Sequence, residues 1–201
     1  METDESGPPR RTLLRAGAYL GATSLAIATA SAVARAGEQR GTVRPVPDWI
    51  PASPSNYTVS SRPSEYPVEF VIIHVTQVSF QSARKIFQNP AKNVSAHYMV
   101  ASADGYVGQF VREKDIAWHA GNWDYNTRSV GIEHEGWVDR PEYFTGAMYE
   151  SSAALTAAVC DRYGVPKDRG HIIAHSEVPG ATHTDPGRYW NWDRYMELVN
   201  R

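Results

Sequence analysis

The chain of 201 residues contains one cysteine, Cys160. An intramolecular disulfide is therefore excluded, and so is a zinc site built on several thiolates. Charge of one sign is also lacking: 20 Lys and Arg stand against 22 Asp and Glu, a formal net of -2. That balance implies no nucleic-acid or other polyanion partner. There are no internal repeats, no low-complexity tracts and no His-Glu-x-x-His motif of the kind that marks many zinc peptidases. Cys160 itself ends the run Ser-Ser-Ala-Ala-Leu-Thr-Ala-Ala-Val-Cys and has no charged activator beside it in the sequence. It is expected on the buried face of a helix rather than as a nucleophile.

The N-terminal segment carries Arg10, Arg11 and Arg15 ahead of an uncharged stretch from Ala16 to Val33. Ala34 and Ala36 place small residues where a signal peptidase cuts. Adjacent arginines before a weakly apolar run resemble a twin-arginine export signal, so residues 1–36 are expected to be a removed signal peptide. The run is rich in Gly, Ala, Thr and Ser and only weakly apolar, which suits this export route better than a retained membrane anchor, so no stable membrane insertion is expected after signal removal. Residues 37–67 are rich in Pro and Ser and are expected as an extended arm, with Trp49 and Tyr57 as anchors. One domain is expected over 68–201, as a monomer.

That domain reads as α/β, a central mixed β-sheet flanked by helices. Val68 to Val75 is apolar on both faces and β-branched, the pattern of a central strand covered on both sides. Ser79 caps a helix to about Gln88, which Asn89-Pro90 ends. Residues 96–101 and 106–111 predict two strands joined by a turn at Asp104-Gly105. Along a strand at 129–135, Val130, Ile132 and His134 share one face, while Gly131, Glu133 and Glu135 share the other. A helix spans about Thr145 to Tyr163 and stops at Gly164. A short strand ends at His175, and a last helix covers Trp192 to Val199.

Seven histidines are present, and two of them end strands. His74 and His175 both fall at the carboxyl end of the sheet, where open α/β folds bind ligands. Asp185 lies in the turn-rich loop His183-Thr184-Asp185-Pro186-Gly187, which can fold back onto His175. Two imidazoles and a carboxylate leave one tetrahedral position for water, as at catalytic zinc. Zinc brings the pKa of such a water down to about 7. His183 points the same way as Asp185 in an extended loop and competes with it as the third ligand.

These stretches resemble the type-2 N-acetylmuramoyl-L-alanine amidases, the superfamily that includes amidase-type phage lysozymes and the peptidoglycan recognition proteins. The resemblance rests on Val71-Ile72-Ile73-His74-Val75-Thr76, on Val94-Ser95-Ala96-His97-Tyr98 with Asp104-Gly105, and on Ala117-Trp118-His119-Ala120-Gly121. It continues through Ser129-Val130-Gly131-Ile132-Glu133, Ile173-Ala174-His175-Ser176-Glu177-Val178 and Thr184-Asp185-Pro186-Gly187. It implies Zn2+ on His74, His175 and Asp185, and cleavage of the amide between the lactyl group of N-acetylmuramic acid and L-alanine in peptidoglycan or muropeptides. It assigns Glu133 as the base that deprotonates the attacking water, although Glu135 shares its face.

At His183 many members carry a lysine that polarises the scissile carbonyl; an imidazole can do this as a cation or as an N–H donor. Because free imidazole titrates near about 6.5 and lysine near about 10.4, activity is expected to depend more on pH at the acid-to-neutral side than in lysine-bearing relatives. His97, Trp118 and His119 are expected in the substrate groove. Trp190, Trp192 and Tyr195 are expected in the core, and His134 and His171 as structural. A peptidoglycan-binding protein without activity is the alternative, but such members typically lose a zinc ligand, and all three positions here are ligand-capable.

Overall fold

Residues 71–75 are all buried, as a strand apolar on both faces requires, and the rest of the domain is arranged around them. The computed structural model describes residues 45–201, so the expected signal peptide and the first residues of the arm lie outside the described part. In chain order the strands and helices are β1 (Asp48–Trp49), β2 (Tyr57–Thr58), β3 (Phe70–Val75), α1 (Phe80–Gln88), β4 (Tyr98–Val100), β5 (Val107–Gln109), β6 (Ile116–Ala117), α2 (Trp123–Arg128), β7 (Ser129–His134), α3 (Gly146–Tyr163), β8 (Ile172–Ala174) and α4 (Trp192–Val199).

Six strands form one mixed sheet in the order β1-β5-β4-β7-β3-β8. β3 lies between β7 and β8 and is parallel to both; β4 is parallel to β7 and antiparallel to β5. β1 adds parallel to β5 at one edge, and β2 and β6 make a separate antiparallel pair. One sheet face carries Val71, Ile73, Val130 and Ile132 against Met148, Leu155 and Val159 of α3 and Tyr195 and Val199 of α4. On the opposite face Phe80, Ala83 and Phe87 of α1 pack with Met99 and Phe110. Ile72, Ala120, Ile173 and Val178 form a smaller apolar group on that face. The alternation along β7 is the cause of this division: its even-numbered residues enter the α3 core and its odd-numbered ones look the other way.

The helix ends are set locally. Ser79 Oγ accepts from Ser82 N–H at the start of α1, and Thr145 Oγ1 accepts from Met148 N–H at the start of α3. α3 stops at Gly164, whose φ of 70° few other residues adopt cheaply and whose N–H returns to Cys160 O. Cys160 is buried in α3, and burial pushes its thiol up to about 11. Trp190 and Tyr195 are buried and Trp192 packs against them. No helix among the described residues is long and apolar enough to cross a membrane.

The segment before β3 is more deeply integrated than an arm resting on the surface. β1 extends the main sheet, and Ala52, Asn56 and Arg62 are buried. The Asn56 amide donates to Phe87 O at 2.7 Å and Asn89 O at 2.9 Å, and its oxygen accepts from Asn93 N–H at 3.1 Å. The Arg62 guanidinium donates to the carbonyls of Glu113, Thr127 and Ser129. Buried carbonyls need such donors, and a cation supplies several at once. Among the anchors expected there, Trp49 is stacked by Arg112 at 3.7 Å and Tyr57 pairs with Ala117.

Candidate active site

His74 is the last residue but one of β3, and the register of the parallel pair places Glu133 of β7 directly opposite it. Both residues stand on the sheet face turned away from α3. β8 runs beside β3, with Ala174 opposite Ile73, so the next residue, His175, emerges next to His74. The two imidazole centroids are 4.4 Å apart. The loop after His175 returns through Asp185, which is anchored by Ser176 N–H donating to its carbonyl at 3.1 Å and Val75 N–H donating to Oδ2 at 3.3 Å.

Asp185 Oδ1 is 3.1 Å from His175 Nδ1, and Oδ2 is 3.4 Å from His74 Nδ1. One ligand-capable atom from each of the three residues lies within 4.8 Å of the others, and all three residues are buried. Two imidazole nitrogens and a carboxylate oxygen are the donor types that suit zinc. His175 Nε2 and Glu133 Oε2 are buried without a hydrogen-bond partner, which leaves polar capacity unused around the cluster. The donor set therefore fits a cation of the zinc type.

Burial works against the Asp185 charge, but the hydrogen bond from His175 and the nearness of the His74 ring outweigh it and hold the carboxyl below the usual range. Burial lowers the His74 pKa, partly offset by Asp185. Glu133 is shifted the other way: burial, with the nearby Asp185 charge, raises its carboxyl well above the ordinary value. Two carboxyl groups pushed apart in this manner are a common mark of a catalytic centre.

The cluster forms the floor of a cleft of about 560 Å³, whose walls include Thr76, Gln77, Asn93, Trp118 and His183. His183 stacks on His175 with centroids 4.7 Å apart, and its side chain is 66% exposed. Its Nδ1 is 3.9 Å from Asp185 Oδ1, and the compact donor group is made with Asp185 rather than with His183. Glu135 is separated from Glu133 by its bonds. Its carboxylate accepts from Phe80 N–H at 2.9 Å and Ser102 N–H at 3.0 Å, fastening the start of α1.

Of the residues expected in the substrate groove, Trp118 lines the cleft and donates through Nε1 to Thr58 Oγ1 at 3.0 Å. His97 does not line it. His97 is fully buried, its Nδ1 accepts from Gly131 N–H at 3.0 Å, and its Nε2 lies 2.6 Å from Arg62. The expectation of a substrate contact fails there because Gly131 of β7, Arg62 and the Asp115 carbonyl occupy both ring nitrogens inside the domain. His119 touches the cleft but is buried, with Nδ1 2.9 Å from His74 Nε2.

His134 is buried between Ser152 and Trp190, and His171 is bound to Asp168, both away from the cleft. Sequence reasoning passed over Gln77 and Asn93, which line the cleft with φ of 56° and 51°. Asn tolerates a positive φ better than most residues, and that is a weak sequence hint for position 93. It also passed over Asn126, whose Oδ1 accepts from the N–H groups of His119 and Ala120 at 3.0 and 2.8 Å and sets that loop.

Residues 64–188 match the family model described as N-acetylmuramoyl-L-alanine amidase. The chain is 36% identical over 169 residues to N-acetylmuramoyl-L-alanine amidase A of Achromobacter lyticus, covering 76% of this chain and 92% of that protein. It is 32% identical over 152 residues to the 1,6-anhydro-N-acetylmuramyl-L-alanine amidase AmpD of Escherichia coli K12, covering 72% and 80%. A crystal structure of a selenomethionine derivative of AmpD superposes with a TM-score of 0.63 at 25% identity, over 76% of this chain and 94% of that one. By its family model and its relatives, the chain belongs to the type-2 N-acetylmuramoyl-L-alanine amidases.

Proposed function

We propose that this chain is an exported, zinc-dependent hydrolase that cuts the amide between the lactyl group of N-acetylmuramic acid and the L-alanine of peptidoglycan stem peptides. The observation that carries this reading is the buried His74, His175 and Asp185 donor group with the unpartnered Glu133 carboxylate beside it. The names of both sequence relatives contain the same muramyl–L-alanine linkage, which supports the assignment of the scissile bond.

His74, His175 and Asp185 would hold the ion. Zinc bound there supplies Lewis-acid polarisation and a water that is nucleophilic near neutral pH. Glu133, half-buried at the cleft, takes a proton from the attacking water and hands it to the alanine nitrogen as the C–N bond breaks. Burial and the nearby Asp185 charge favour its protonated form, which strengthens Glu133 as the base that takes a proton from water. His183, at the cleft mouth, donates to the carbonyl oxygen as negative charge develops there. Trp118 offers an aromatic edge to the sugar or the stem peptide. Water is the only co-reactant, and the products are the free lactyl carboxylate and a stem peptide with an L-alanine N-terminus.

Incubation with muropeptides and mass spectrometry of the products tests the reaction. The reading expects free stem peptide, loss of activity with a chelator and its return with zinc. Intact muropeptide with zinc-loaded protein would instead support a binding protein. Export rests on the Arg10-Arg11 pair, the weakly apolar run and the small residues at 34 and 36. N-terminal sequencing of secreted protein is expected to find the chain starting at Gly37, and Arg10→Lys with Arg11→Lys to block secretion.

A further inference from the structure

His119 lies behind His74, on the side away from Asp185, in a chain of hydrogen bonds whose direction is set at its far end. Ser129 Oγ is 2.5 Å from Tyr125 O, an acceptor with no proton to offer, so the Ser129 hydroxyl donates there. Ser129 Oγ can then only accept from His119 Nε2, 3.2 Å away. With its one ring proton on Nε2, His119 presents a bare Nδ1, and that atom faces His74 Nε2 at 2.9 Å. The proton between the two rings therefore belongs to His74 Nε2. What remains on His74 is an Nδ1 lone pair on the side of Asp185 Oδ2, 3.4 Å away.

We propose that His119 is a positioning residue that fixes the tautomer of His74, so that its Nδ1 lone pair is ready for the metal before the metal arrives. A ligand imidazole oriented through its second nitrogen is a general feature of metal sites, and loss of the orienting partner weakens binding. The partner here is a second histidine backed by a hydroxyl and a main-chain carbonyl, not a carboxylate. The chain stays neutral throughout and adds no charge beneath the cation.

The seat for this ring is built into β7. A Cβ at Gly131 would lie 2.5 Å from the Cγ and Nδ1 atoms of His119, so any side chain there displaces the imidazole. The loop that carries His119 is held by Asn126, which accepts from the N–H groups of His119 and Ala120. Glycine at 131, serine at 129 and asparagine at 126 thus serve one ring. The motif Ala117-Trp118-His119-Ala120-Gly121 therefore acts partly on the metal, through His74.

The inference rests on His74 being a metal ligand, and its first test does not. Nitrogen-15 NMR of the histidine side chains in metal-free wild-type protein at about pH 8, where free imidazole is neutral, reads the tautomer directly. The expected result is His74 protonated on Nε2 alone; protonation on Nδ1 would overturn the proposal whatever the protein binds.

The second test is zinc affinity by competition with a chelating dye. His119→Phe, with folding checked by circular dichroism, is expected to bind zinc about 10–100-fold more weakly. Gly131→Ala, which keeps His119 but removes its seat, is expected to show the same loss. His119→Gln offers an amide oxygen to the same proton and is expected to regain most of the affinity. A folded His119→Phe with wild-type zinc affinity would end the idea. Failure of the wild-type protein to bind zinc would instead count against the proposed function, while leaving the tautomer measurement standing.

Discussion

Glu133 and Glu135 are chemically identical and two positions apart, yet their surroundings assign them different work. Glu135 is saturated by the N–H groups of Phe80 and Ser102, whereas Glu133 has a buried oxygen with no partner, across from His74. Glu133→Gln is expected to lower kcat by about 10²–10⁴-fold, the usual worth of general acid–base catalysis, while zinc content stays at one ion per chain. Glu135→Gln is expected to cost about 1–3 kcal/mol of stability through its two backbone partners, with kcat per folded molecule near wild type. Denaturant titration and single-substrate kinetics on both variants separate the two roles. A second pair is His183 and Asp185. Asp185→Ala should lose the ion, because it removes a donor from the compact cluster. His183→Ala should retain it and lose about 10²–10³-fold in kcat, the range seen for a removed oxyanion donor. Metal analysis of the purified variants decides between them, and loss of zinc from His183→Ala would make that residue the third ligand.

At the scale of elements, the strands and helices with strong local signals were legible. β3 was marked by an unbroken β-branched run, β7 by clean alternation, α1 and α3 by capping residues and their terminators. What carried no local signal was the pairing of two-residue strands. β1, β2 and β6 have no periodicity to read, and their existence depends on partners distant in the chain. For the same reason the 45–67 segment looked like an arm. Its hold on the domain comes from single side chains, Asn56 and Arg62, whose partners lie more than 30 residues away. Asn56 ties down the loop from Phe87 to Asn93, a wall of the cleft, and Asn56→Ala should cost about 1–3 kcal/mol. Chemical denaturation measures this. An unchanged midpoint would mean that the loop is held by other contacts.

For the whole molecule, buried histidines govern the acid limb of stability. Burial lowers the pKa of His97 and His119 well below the ordinary value and that of His134 to about 3. In the unfolded chain these rings titrate near about 6.5, so below that pH the unfolded state takes up protons that the native state refuses. Their contribution is complete above about pH 6.5 and declines as pH falls toward the folded values. Glu133 acts in the opposite sense: its carboxyl is raised, so native protein holds a proton that the unfolded chain releases above about pH 4.3. Three imidazoles outweigh one carboxyl. The denaturant midpoint of metal-free protein is expected to fall from pH 7 to pH 5, and to fall further in Glu133→Gln. A flat profile in both proteins would contradict this. The α/β class, the histidines at the strand ends and the face that carries Glu133 can all be read along the chain, because they follow from hydrophobic periodicity and local caps. Tertiary structure alone decided that Asp185 and not His183 completes the compact donor group, that His97 is enclosed, and that His119 serves His74. Each of those outcomes depends on which atoms a loop or neighbouring strand brings within 3 or 4 Å, and no local pattern along the chain encodes that distance.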